Sequence, residues 1–194
     1  MKSKLLFALS VSSIIFFAAC SDGPPKQKSS TEVAKEQNEQ KMDGTGMEKE
    51  ADFLVKVADG NMLEVELGKI AERNGSMQDV KNFGKMMVEH HTKILDELKT
   101  LAISKNITIP DGMSDEHHKK VDKLSGKAGH DFDEEYIEAM VKDHKKDVKE
   151  FEDKSTDEKY DADIRNWVTA TLPTLRNHLA EINKVDEKFE AMKK

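Results

Sequence analysis

The chain has one cysteine among its 194 residues, which rules out an internal disulfide framework. Its 4 prolines and 10 glycines sit at a few junctions, and strand-like alternation of apolar and polar residues is absent, so a fold of many short strands is excluded. Beyond the first twenty residues no apolar run approaches the roughly 20 residues that a membrane-spanning helix needs. Positive charge is in deficit as well: 31 Lys and Arg stand against 38 Asp and Glu, for a formal net charge of -7. No basic stripe exists to neutralise phosphates, so nucleic acid is excluded as a partner. The same acidic balance opposes docking of the folded part on anionic lipid.

What the chain does have begins with a targeting segment. Lys2 and Lys4 precede an apolar run over residues 5–17, followed by the small Ala18 and Ala19, the three parts of a secretory signal. The context Phe17-Ala18-Ala19-Cys20 resembles the lipobox of bacterial lipoproteins, with Phe17 where Leu is usual. Residues 1–19 are therefore predicted to be a lipoprotein signal peptide and Cys20 the lipidation site, a thioether-linked lipid making the membrane a partner. Ser21 in place of an aspartate resembles lipoproteins sent on to the outer membrane. The expected location is the bacterial cell envelope, lipid-anchored, at the outer membrane and facing the periplasm or the surface.

From Ser21 to about Met47 the residues are Lys, Gln, Ser, Glu, Gly and Pro with almost nothing large and apolar, so residues 20–48 are predicted to be a disordered tether. Residues 49–194 suit one domain. There the apolar residues recur at spacings of three and four, which predicts an all-α fold with four long helices. The first runs from about Glu50 to Arg73 and stops at Asn74-Gly75; the second opens at Ser76 and carries Val80, Phe83, Met87, Ile94 and Leu98. After a break from about Lys105 to Gly129, with a short helix after Ser114, the third opens at Asp131 with Glu134 in capping-box fashion. The fourth opens at Ser155 with Glu158 and runs on past Pro173, which is expected to kink it. Short links make helices one and two, and three and four, antiparallel neighbours. The link of about 24 residues between helices two and three is long enough to cross the domain, which would make those two parallel, a ferritin-like four-helix bundle with a long crossover.

Chemistry, if present, must lie in that bundle. Met87-Val88-Glu89-His90-His91 is echoed by Met140-Val141-Lys142-Asp143-His144, and in parallel helices His91 and His144 fall within about one turn of the same level. Glu64 on the first helix lies about 7 Å off that level and Glu66 points to another face, while His178 on the fourth is expected about 17 Å off. One reading makes these core histidines with one nitrogen satisfied and Met87 and Met140 packing residues. The other is a transition-metal site of Glu64, His91 and His144, with a copper version assisted by the two methionine sulfurs. Ferritin-type di-iron chemistry needs Glu-x-x-His on two helices, and no histidine here has Glu three residues before it. There is no nucleophile constellation, and His117, His118 and His130 fall in the crossover as expected solvated residues.

Six separated segments carry a family likeness: residues 53–60, 64–68, 80–83, 87–91, 140–144 and 171–178. In that order and spacing they resemble the exported bacterial family called domain of unknown function 4142, a ferritin-like bundle, over Ala51 to Ile182. The resemblance implies the fold and the envelope location and singles out Glu64, His91, His144 and His178 as the family's polar positions, but it brings no activity. Where the family usually has Asp-His, this chain has His90-His91, which removes an acid that could support His91. Two function classes stay open: a non-enzymatic binding or stress-protection module, with or without a protein partner, and a metal-binding redox or storage protein using Glu64, His91 and His144.

Overall fold

Helices that are apolar along one stripe and charged on the other can bury the stripe only against one another. In the computed structural model, which describes residues 28–193, they do so as an all-helical fold. The elements are α1 (Ser30–Met42), α2 (Glu48–Asn74), α3 (Gln78–Ser104), α4 (Asp115–Ser125), α5 (Gly129–Ser155) and α6 (Ala162–Met192). No helix among the described residues is long and apolar enough to cross a membrane. The signal segment 1–19 and Cys20 lie outside the described residues.

Hydrogen bonds and ion pairs at the two ends set the directions. Asp133, near the start of α5, accepts from the backbone amides of Ser76 at 3.0 Å and Met77 at 2.9 Å, so α3 and α5 begin at the same end and run parallel. At the other end Lys105, just past α3, pairs with Asp161 and Asp163 at 2.7 and 2.6 Å, so α6 starts where α3 stops. Phe53 near the start of α2 packs on Phe151 and Tyr160, with ring centroids 5.7 and 6.0 Å apart, which sets α2 antiparallel to α5. The link between α3 and α5 crosses the molecule as its length implies, and its helix α4 packs on α2 and α5.

Several expected boundaries move. Ser76 does not cap α3: its amide and hydroxyl bond to Asp133, so an acid from a distant helix serves that terminus. Asp131 does not open α5, which begins at Gly129. Ser155 is the last residue of α5, and α6 opens seven residues later with Asp161 accepting from the amides of Asp163 and Ile164. It then continues through Pro173. The largest change concerns residues 20–48, because 30–42 are helical and docked rather than a tether. Ser29 and Glu32 form a capping box, and Asn38 pairs both ways with the backbone of Thr108, each bond 2.7 Å. Only Ala34 and Met42 bury apolar surface on α1, so apolar spacing does not reveal it; caps and long-range polar bonds hold it.

The apolar interior divides in two. Phe53, Leu54, Ile94, Leu98, Phe151 and Ile164 belong to one cluster, and Leu67, Phe83, Met87, Tyr136, Met140 and Phe189 to the other. Each fully buried Leu or Phe contributes roughly 1.5–3 kcal/mol relative to its exposed state, so both halves are well anchored. Along the sequence stripes, the buried residues between the two clusters are polar: Asn61, Glu64, His91, His144 and His178. Apolar residues there would give one continuous core without the desolvation cost of burying polar groups.

Candidate metal centre

The polar layer is assembled by a close approach of α2 and α3. A Cβ added to Gly68 would lie 2.6 Å from the carbonyl oxygen of Gly84, and one on Gly84 2.7 Å from that of Gly68. Only two residues without side chains permit these backbones to meet. From that contact the antiparallel helices lead in register to Asn61 and Glu64 on α2 and His91 on α3.

Each buried imidazole has one nitrogen bound. His91 Nδ1 lies 2.8 Å from Asn61 Oδ1 and 2.9 Å from Glu64 Oε2. The Asn61 amide is oriented because its Nδ2 donates to the Val57 carbonyl at 2.7 Å; both partners of His91 Nδ1 are thus acceptors, and the proton sits on Nδ1. His144 Nδ1 donates to the Met140 carbonyl at 2.9 Å. His178 Nε2 lies 2.8 Å from Nδ1 of His90. The remaining nitrogens, His91 Nε2, His144 Nε2 and His178 Nδ1, have no hydrogen-bond partner, and neither does Glu64 Oε1. Of the six buried side-chain atoms left unpartnered among the described residues, these four belong to this one layer.

The three imidazoles offer ligand atoms that all lie within 4.8 Å of one another, and Glu64 Oε1 is 3.6 Å from His144 Nε2. Burial works against ionisation of Glu64, but the imidazoles of His91, His144 and His178 outweigh it and hold the carboxyl below the usual carboxylate range. Burial pushes His144 and His178 down, helped by the neighbouring imidazoles, so both are neutral at physiological pH. These contacts put a proton on Nδ1 of His91 and His144, and the inward Nδ1 of His178 is a lone pair when its Nε2–H donates to His90 Nδ1. A water has only two hydrogens to offer the inward-facing atoms, whereas a metal cation can accept several lone pairs at once. Leaving each unpartnered costs about 1–3 kcal/mol.

The four residues singled out in the sequence therefore meet in one place. His178 is the correction: instead of lying about 17 Å off level, its ring centroid is 5.0 Å from that of His91 and 5.3 Å from that of His144. The late start of α6 and its alignment with the end of α3 shift its register. His90, not counted among the candidates, also meets this layer, its ring stacked on that of His178 with centroids 5.1 Å apart. Met87 and Met140 are buried in the apolar cluster, and Glu66 pairs with Lys69 at the surface. His118 and His130 are exposed, but His117 is half-buried, with Nδ1 3.0 Å from Asp59 Oδ1.

A recess of about 250 Å³ between α2, α4 and α5 reaches Glu64 and His91 from the surface. Asn61, His90 and the recess carboxylates are the participants that motif spacing alone did not disclose. Asn61 sits three residues before Glu64 on the same stripe, and that is the signal that would have found it.

Comparison with protein families matches residues 33–185 to a domain of unknown function, DUF4142. Comparisons with curated proteins and with solved structures give no match.

Proposed function

The chain belongs to the domain of unknown function 4142 family, and from that premise we propose that it is an envelope protein that binds one divalent transition-metal ion through His91, His144 and His178, with Glu64 beside them. The observation that carries this reading is the convergence of three buried, unpartnered imidazole nitrogens and an unpartnered carboxylate oxygen. Three imidazole nitrogens suit zinc, copper, cobalt or iron better than calcium or magnesium, which prefer oxygen. The outer contacts of Asn61, Met140 and His90 resemble the partners that orient histidine ligands in metal sites. Binding or sequestration is the activity this supports. Parallel α3 and α5 joined by a crossover support a ferritin-like four-helix bundle, but without its Glu-x-x-His pairs the bundle does not carry ferritin's di-iron set.

The protein's place in the envelope rests on the lipobox-like context of Cys20. Lipidation there would tether the domain through residues 21–29, and Cys20→Ser is expected to move it from the membrane fraction to the soluble one. The metal reading is tested by titrating metal-free protein with zinc, copper, cobalt and iron, followed by elemental analysis. One ion per chain is expected, lost in His144→Ala and His178→Ala. Folded protein that retains no stoichiometric ion after supplementation overturns the reading.

A further inference from the structure

Six carboxylates line the recess between α2, α4 and α5, and they fall into two groups. Asp59 is held by His117 and by the amide of Ser114 at 2.8 Å. Glu150 is paired with Lys56, and Glu116 with Lys120 at 3.5 Å. These three belong to the walls. Asp143 and Asp147 make no hydrogen bond or ion pair with another described residue. One helical turn apart, they line the recess with Glu64, whose Oε1 is buried and unpartnered. Like charges at this spacing repel, so helix stability does not account for them.

We infer that this recess is the uptake route by which a hydrated divalent cation reaches the three imidazoles, with Asp143 and Asp147 passing it on to Glu64. The inference rests on the metal reading above and adds how the ion arrives. Of the layer's residues, Asn61, Glu64 and His91 face the recess, while His144 and His178 do not line it, so Glu64 and His91 are the first ligands an ion meets. Five acids besides Asp147 against Lys56, Lys120 and Lys146 leave the recess negative, and walls of low dielectric focus that field. Burial first, and then the charges of Glu64, Asp143 and Glu150, push the Asp147 carboxyl up to about 8, so it holds a proton at neutral pH that an arriving cation displaces. Gly60 lines the same recess, and a Cβ added there meets nothing within 4 Å, so its surface faces open space that an ion can cross.

The test is stopped-flow loading of the metal-free full chain with cobalt(II), followed by the cobalt absorption band, at pH 8 and low ionic strength. Asp143→Asn with Asp147→Asn should slow loading about tenfold, within the range electrostatic steering supplies, while one cobalt is still bound per chain. Asp96→Asn with Glu97→Gln, which removes two carboxylates from an exposed face of α3 outside the recess, should leave the rate unchanged. Gly60→Trp, which obstructs the recess and removes no carboxylate, should also slow loading at unchanged stoichiometry. Loading by both recess variants within about twofold of the parent overturns the inference, since steering alone predicts more. So does loss of bound cobalt in the carboxylate variant, which would make Asp143 and Asp147 ligands. A parent that takes up no cobalt overturns the metal reading itself, an outcome visible before any variant is compared.

Discussion

His178 Nε2 lies 2.8 Å from His90 Nδ1 across the contact between α6 and α3, and the two rings are nearly parallel, 17° apart. A half-buried imidazole thus binds the outer nitrogen of a fully buried one and leaves the inner nitrogen, Nδ1, facing His91 and His144.

His90→Ala should therefore weaken metal binding without removing a ligand. Loss of an outer hydrogen-bond partner of a metal-binding histidine typically costs 10- to 100-fold in affinity. His90→Asp restores an acceptor for His178 Nε2–H and should recover most of that loss. Isothermal titration of the three proteins with zinc measures it; equal affinity for parent and His90→Ala would show that the contact does not orient His178.

His144 and His178 should behave as one unit. With ring centroids 5.3 Å apart, their alanine substitutions are expected to be non-additive by about 0.5–3 kcal/mol in a double-mutant cycle. The coupling should grow when zinc is present. Thermal or urea unfolding of the parent, both single variants and the double variant gives the coupling directly.

The metal-free protein should lose stability in acid before ordinary carboxylates titrate. His144 and His178 are depressed in the fold below the ordinary imidazole value of 6.5, so the unfolded chain takes up protons there first. Their contribution is complete above about pH 6.5 and falls as pH drops below it. Glu64, depressed from 4.5, adds a second loss below about pH 4.5 by the same linkage. Asp147 acts oppositely: raised from 3.8 to about 8, it costs stability as pH rises between those values. Asp147→Asn should therefore stabilise the metal-free protein at pH 8 more than at pH 5. Urea midpoints measured from pH 4 to 9 check each sign.

The contact between Gly68 and Gly84 should tolerate no side chain. A methyl at either position meets a backbone oxygen at 2.6–2.7 Å, which cannot swing aside as a side chain would. Gly68→Ala is expected to cost roughly 1–3 kcal/mol as overpacking, despite alanine's better helix propensity. By separating α2 from α3 it should also weaken zinc binding. Thermal unfolding with and without zinc separates the two effects; an unchanged or higher midpoint would show that the helices can part freely.

Much of the fold was legible in the sequence because it depends on local periodicity. The stripes through Leu54, Leu67, Phe83, Met87, Met140 and Ile164 identify four long helices, since each must hide one face. The length of the link containing Ser114 fits parallel α3 and α5, which places His91 opposite His144. Helix α1 was not legible, because a capping box and the pairing of Asn38 with Thr108 stabilise it without an apolar stripe.

Within the centre, spacing and family resemblance together singled out Glu64, His91, His144 and His178 as candidates, and chain chemistry alone decided that these groups are imidazoles and a carboxylate. Only the tertiary structure decided that they share one place. The level of His178 depends on where α6 begins relative to α3, a matter settled by Asp161 and Lys105 rather than by any residue near the histidine. The reach of Glu64 to His91 depends on how closely two backbones approach at Gly68 and Gly84. Whether a nitrogen is bound or free depends on partners such as Asn61, Met140 and His90, some distant in sequence from the ring they touch. Periodicity assigns a residue to a face of its own helix; register between helices is set by contacts at their ends and crossings, and those exist only once the chain has packed.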